Sequence, residues 1–90
     1  MIYVDNFDWD NNNTEHISRH GVCDYEVEHV ILYDKARYKQ AGGGTYSALG
    51  TTEEGRYLMI IFAAKGGGSV RVVTARDMSE KEKRYYKKVR

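Results

Sequence analysis

Tyr57-Leu58-Met59-Ile60-Ile61-Phe62-Ala63-Ala64, followed by Lys65-Gly66-Gly67-Gly68 and Val70-Arg71-Val72-Val73-Thr74-Ala75, is the stretch that decides the fold. The first run is apolar almost throughout, as expected of a strand in the middle of a sheet with both faces covered. The glycine turn sends the chain back, so the second run pairs with the first in antiparallel fashion. In that second strand Arg71 and Arg76 interrupt a β-branched series. Side chains alternate along a strand, which predicts that these two arginines emerge on opposite faces, at least one of them placed to meet a ligand. A basic helix over Ser79–Lys88 follows, opened by Ser79 at the N-cap and Glu82 three residues on, a capping box.

Working outward, Tyr46–Thr51 reads as a strand joined to Tyr57–Ala64 by the hairpin turn Thr52-Glu53-Glu54-Gly55, which makes an antiparallel meander. Before it, Asp34–Gln40 alternates as an edge strand or extended loop and ends on Ala41-Gly42-Gly43-Gly44. Neither triple-glycine segment has the spacing or the Lys-Ser/Thr ending of a nucleotide loop. Asp24–Tyr33 predicts a helix with Asp24 as N-cap, a core stripe of Val27, Val30 and Ile31, and Glu26 and Glu28 turned outward. Asn11-Asn12-Asn13-Thr14 starts a short helix running to about His20, with Gly21 at its C-cap, and Met1–Trp9 can form an edge strand. The expectation is one α+β domain over residues 1–90: two N-terminal helices, an antiparallel β-meander and a C-terminal helix.

Composition narrows the function classes. The longest apolar run, Leu58–Ala64, falls far short of the roughly 18–20 residues that span a bilayer, and no leader precedes it, so the reading is a soluble protein of the cytoplasm without a membrane partner. A single cysteine, Cys23, makes no internal disulfide, and no tetrahedral Cys/His site is spelled out, so neither metal nor cofactor is expected. His16 and His20 stand at i and i+4, but the glutamate of H-E-x-x-H is missing; the expected roles are His20 capping the last turn and His16 packing against the domain. Charge is asymmetric. Residues 1–55 carry four basic and ten acidic groups, and residues 56–90 carry ten basic and three acidic, the footprint of a phosphate-bearing or acidic partner. An equally simple account has the two halves attracting each other.

Several segments resemble the BrnT family of toxins: Trp9-Asp10, Asn13, His16-Ile17, Arg19-His20-Gly21-Val22 and Glu26-Val27-Glu28 in the first half; Leu49-Gly50-Thr51 and Gly55-Arg56-Tyr57-Leu58 in the middle; and Arg71–Ser79 with Glu82-Lys83-Arg84-x-Tyr86 at the end. The resemblance covers nearly the whole chain. It departs from the commoner pattern at His16, where that pattern has Asn, and at the second glycine turn, which replaces a more charged hairpin. The resemblance implies a small RelE/ParE-like domain, ribonuclease activity in a type II toxin–antitoxin system, and neutralisation by a DNA-binding, BrnA-like antitoxin, alone or in an oligomer with it.

Metal-free RNA cleavage needs a group to deprotonate the 2′-hydroxyl, a cation for the phosphate's growing charge, and an acid for the 5′ leaving oxygen. Arginine suits the second task through its permanently charged fork. Arg76 and Arg71 are the principal candidates, and Arg76 matches the site region that the resemblance implies. Lys65, Arg84, Lys87 and Tyr86 are the expected phosphate or RNA contacts. Tyr85 or Tyr86 can stack a base or donate the proton, and His20 is the other acid/base candidate. Two other classes stay open: a ParE-like toxin that binds a protein without catalysis, and a decayed, non-toxic module of the same fold.

Overall fold

The computed structural model of the chain describes residues 4–89. Its elements run β1 (Asn6–Phe7), α1 (Asn11–Ser18), α2 (Asp24–Tyr33), β2 (Arg37–Gly42), β3 (Thr45–Thr51), β4 (Tyr57–Gly66), β5 (Ser69–Asp77) and α3 (Glu80–Val89). Met1, Ile2 and Tyr3 of the expected first strand, and Arg90, lie outside the described residues. The sheet order is β1-β5-β4-β3-β2. The expected meander is present from β2 to β5, but β1 adds to β5 in parallel, so the sheet is mixed rather than wholly antiparallel.

Two layers of unequal extent cover the sheet. On one face Ile17 of α1 and Val27, Val30 and Ile31 of α2 pack on Ala48, Leu58, Ile60, Phe62, Val70, Val72 and Ala75. On the other, Met78 and Tyr86 close over Met59, with Leu49, Tyr57 and Ile61 around them, so α3 covers one end only. Val30 can approach β3 because position 50 is glycine: a Cβ there would stand 2.5 Å from Val30 Cγ1.

Local chemistry sets the element ends. Asp10 caps α1, accepting from the Asn12 and Asn13 N–H groups, while the Asn13 side chain returns to the Asp10 N–H, a reciprocal cap. Asn13 is buried, and its Nδ2 also donates to the Asp8 and Val72 carbonyls, fastening α1 to β5. Cys23, not Asp24, is the N-cap of α2, because the Glu26 carboxylate turns back to the Cys23 N–H at 2.9 Å. Glu26 is therefore buried rather than outward. Before α3 the predicted box is complete: the Glu82 N–H donates to Ser79 Oγ and the Ser79 N–H to Glu82 Oε1.

One irregularity in β5 positions the site. Ile61 pairs with Thr74 but Phe62 pairs with Val72, leaving Val73 as an extra, exposed residue. A β-bulge shifts the phase of the alternation by one. Arg71 thus lies opposite Ala63 and Arg76 opposite Met59, two residues on the same face of β4, so the arginines share a face instead of taking opposite ones. Both glycine hairpins are tight two-residue turns, with φ of 61° and 78° at Gly43 and Gly44 and of 62° and 82° at Gly67 and Gly68. Such turns need positive φ at both central residues.

Candidate functional site

The face that α3 leaves partly open carries both candidate arginines. Ile61 and Ala63 form its floor on β4, Thr45 and Ser47 adjoin on β3, and Arg71, Thr74 and Arg76 line it on β5. The two arginines stand four strand positions apart, about 13 Å. Arg76 is gripped by Glu82, Nη1 to Oε1 at 2.9 Å and Nη2 to Oε2 at 3.1 Å, and Nη1 also donates to the Asp77 carbonyl. The Arg76 hydrogen bond holds the Glu82 carboxyl below its usual range. Arg71 reaches Asp8 Oδ2 at 3.4 Å and Asp10 Oδ2 at 3.0 Å. The Asp10 carboxyl is also held low, chiefly by the Asn13 backbone N–H and with Arg71 adding to it.

The edge of β5 beyond Val70 is not covered by β1, and α1 lies along it. His16 uses this access: its Nε2 is 3.1 Å from Thr74 Oγ1. The His20 ring stands edge-on to His16, with centroids 5.7 Å apart. His16 is exposed rather than packed into the domain, and His20 meets the arginine face only through it. No side-chain cap by His20 is seen; its carbonyl accepts from Arg56 Nη2 at 3.3 Å.

Along α3 the expected residues separate. Tyr86 is fully buried, with its hydroxyl 2.9 Å from Thr51 Oγ1 and 3.2 Å from Asp34 Oδ2 and its ring edge-on to Tyr57. Its expected contact with RNA is corrected accordingly: a ring committed to the core has no face left for a base. Lys87 lies over the Tyr57 ring at 5.2 Å and Lys83 at 5.9 Å. Helical spacing puts Tyr85 on the flank opposite those lysines, the flank that also carries Glu82, the partner of Arg76. Tyr85 is 54 % exposed, and Arg84 points to solvent away from the sheet. Lys65 is exposed at the start of the β4–β5 hairpin, near the Arg71 end.

Two features escaped sequence reasoning. The Val73 bulge leaves no compositional trace, whereas His16 was flagged by its spacing to His20 and then assigned to packing. Arg56 is the anchor among the motif residues: Nε meets Asp77 Oδ1 at 2.7 Å, and Nη1 meets the Gly21 carbonyl at 2.7 Å and Glu26 Oε1 at 3.3 Å. It ties the α1–α2 corner to the start of β4. A hollow of about 810 Å³ between α2 and β2 lies on the opposite face and is lined by Ile31, Leu32, Ala36, Tyr38 and Tyr46 with Lys35 and Lys39. Neither an arginine nor a histidine lines it. Among the described residues no group of three or more His, Cys, Asp or Glu is arranged to hold a metal, and no helix is long and apolar enough to cross a membrane.

No family model matches the sequence, and no curated protein matches it either. The fold has a solved counterpart: the crystal structure of the Brucella abortus ribonuclease toxin BrnT superimposes with a TM-score of 0.65 over 89 % of this chain and all of that one, at 17 % identity. The α+β fold is therefore BrnT-like.

Proposed function

We propose that this chain, built on the fold of a ribonuclease toxin, is the toxin of a type II toxin–antitoxin system and an endoribonuclease that cuts RNA without a metal, inhibiting translation in the cytoplasm. The observation that carries the reading is the bulge at Val73, which brings Arg71 and Arg76 onto one open face beside a basic helix. RNA lies along β5 with a phosphate at each arginine. The 2′-oxygen attacks the phosphorus held at Arg76, which stabilises the added negative charge while Arg71 holds the neighbouring phosphate, and Tyr85 stacks a base or gives its proton to the 5′-oxygen. Lys65 extends the cationic track at the hairpin end; Lys87 and Arg84, turned away from the floor, serve the outer phosphates. His20 is a partner of His16 in this arrangement. The site residues require no cofactor for these steps. A DNA-binding antitoxin is the partner of this reading.

The carboxylates already on Arg71 and Arg76 favour a second reading, in which the same face receives acidic side chains of a protein target. RNA cleavage by the purified protein in EDTA, with folded Arg76→Ala and Arg71→Ala variants alongside, separates the two. The nuclease reading expects cleavage that survives chelation and falls at least about a hundredfold in a variant, the scale of one lost transition-state charge contact. A folded wild-type protein that cuts no RNA overturns it.

A further inference from the structure

We infer that His16 is the general base of the cleavage site, an inference that rests on the ribonuclease reading. Three observations converge on it. First, the register places Thr74 on the same face as Arg71 and Arg76 and between them along β5. Second, His16 reaches that row from the adjoining helix, with Nε2 3.1 Å from the Thr74 hydroxyl, through the stretch of β5 edge that β1 leaves uncovered. Third, the ring is exposed, so a substrate hydroxyl can take the place of Thr74 Oγ1 without unfolding anything. With the ring proton on Nδ1, Nε2 accepts from Thr74, and that lone pair is the one a base needs.

The other candidates for this role are placed less well. The His20 ring stands against the His16 ring, and it is His16 that meets Thr74. Asp8, Asp10 and Glu82 are committed to the arginines. His16 also stands where the commoner BrnT pattern has Asn, so the base is a property of this chain and not one carried over from the resemblance.

In the step assigned to it, Nε2 takes the 2′-hydroxyl proton while O2′ forms its bond to phosphorus. The P–O5′ bond breaks, and the departing oxygen takes the Tyr85 hydroxyl proton. Tyr85 recovers a proton from solvent and His16 returns one to it. The products are a 2′,3′-cyclic phosphate and a 5′-hydroxyl, and atoms and charge balance without an oxidant or metal. Thr74 holds the ring in position while the site is empty.

The test is single-turnover cleavage of a short RNA by wild-type protein, His16→Gln and His16→Ala, each checked for an unchanged melting temperature. Gln keeps an amide atom near the position of Nε2 and a hydrogen bond to Thr74, but cannot take the proton. The expected result is a loss of about a hundredfold to ten-thousandfold in kcat for both variants with KM held within about threefold, and partial rescue of His16→Ala by added imidazole. Full activity in His16→Gln overturns the base assignment and leaves the ribonuclease reading intact. A wild-type protein that does not cleave overturns both.

Discussion

Arg76 and Glu82 meet through both guanidinium nitrogens and both carboxylate oxygens, at 2.9 and 3.1 Å, so the end of β5 and the first turn of α3 are clamped together. The same carboxylate closes the helix cap at Ser79, and Glu82 therefore holds the helix start and the site arginine at once.

Acid should loosen this clamp. The carboxyls of Glu82 and Asp77 are held below the ordinary carboxylate range, in each case first by the hydrogen bond from the arginine that meets them, Arg76 and Arg56. A depressed carboxylate contributes stability that is complete above about pH 5 and is lost as pH falls through its native value. The melting temperature should therefore be flat from pH 7 to 5 and fall below pH 4. Glu82→Gln should shallow that fall, with a cost at pH 7 below about 1 kcal/mol because the pair is partly solvated. Thermal melts across this range in both proteins check it.

Tyr85 and Tyr86 are neighbours with opposite fates. Tyr86→Phe removes a buried hydroxyl from Thr51 and Asp34 and should cost about 1–2 kcal/mol, some 4–16 °C in a domain of this size. Tyr85→Phe should leave the melting temperature within about 2 °C and lower RNA cleavage at least tenfold. Calorimetry and cleavage assays on the same two preparations decide it.

Gly50→Ala should be damaging although it adds a single methyl group. The added Cβ would meet Val30 Cγ1 at 2.5 Å and Asp34 Oδ2 at 2.9 Å, so α2 must back away from β3. A loss of about 1–3 kcal/mol is expected from such overpacking. Chemical denaturation measures it directly.

Salt dependence should count the phosphates. If Arg71 and Arg76 each bind one, Arg71→Ala and Arg76→Ala should each lower the slope of log affinity for single-stranded RNA against log salt by about 0.7. A titration between 50 and 300 mM salt, with binding followed by anisotropy, tests both.

The fold was largely legible because its determinants are local. The apolar Leu58–Ala64 run, the glycine turns and the Ser79–Glu82 box each act over a few residues, and α2 falls on the expected Asp24–Tyr33. What sequence could not supply depends on contacts far apart in the chain. Glu26 is drawn inward by Arg56, thirty positions away, and β1 pairs with a strand more than sixty positions on. For the candidate residues, the expected geometry of the two arginines was wrong. Strict alternation splits Arg71 from Arg76, and a bulge arises from how two strands settle their pairing, not from the identity of Val73. His16 was visible as half of a spaced pair, but its contact with Thr74 depends on a β5 edge that β1 pairs only at Ser69 and Val70.

The extra residue at Val73 also makes β5 a strand with a parity. Two arginines five positions apart share a face only while an odd insertion lies between them, so removing Val73 would keep every functional side chain yet turn one half of the strand over relative to the other. A strand of this kind keeps both arginines on one face only if the number of residues between them changes by twos.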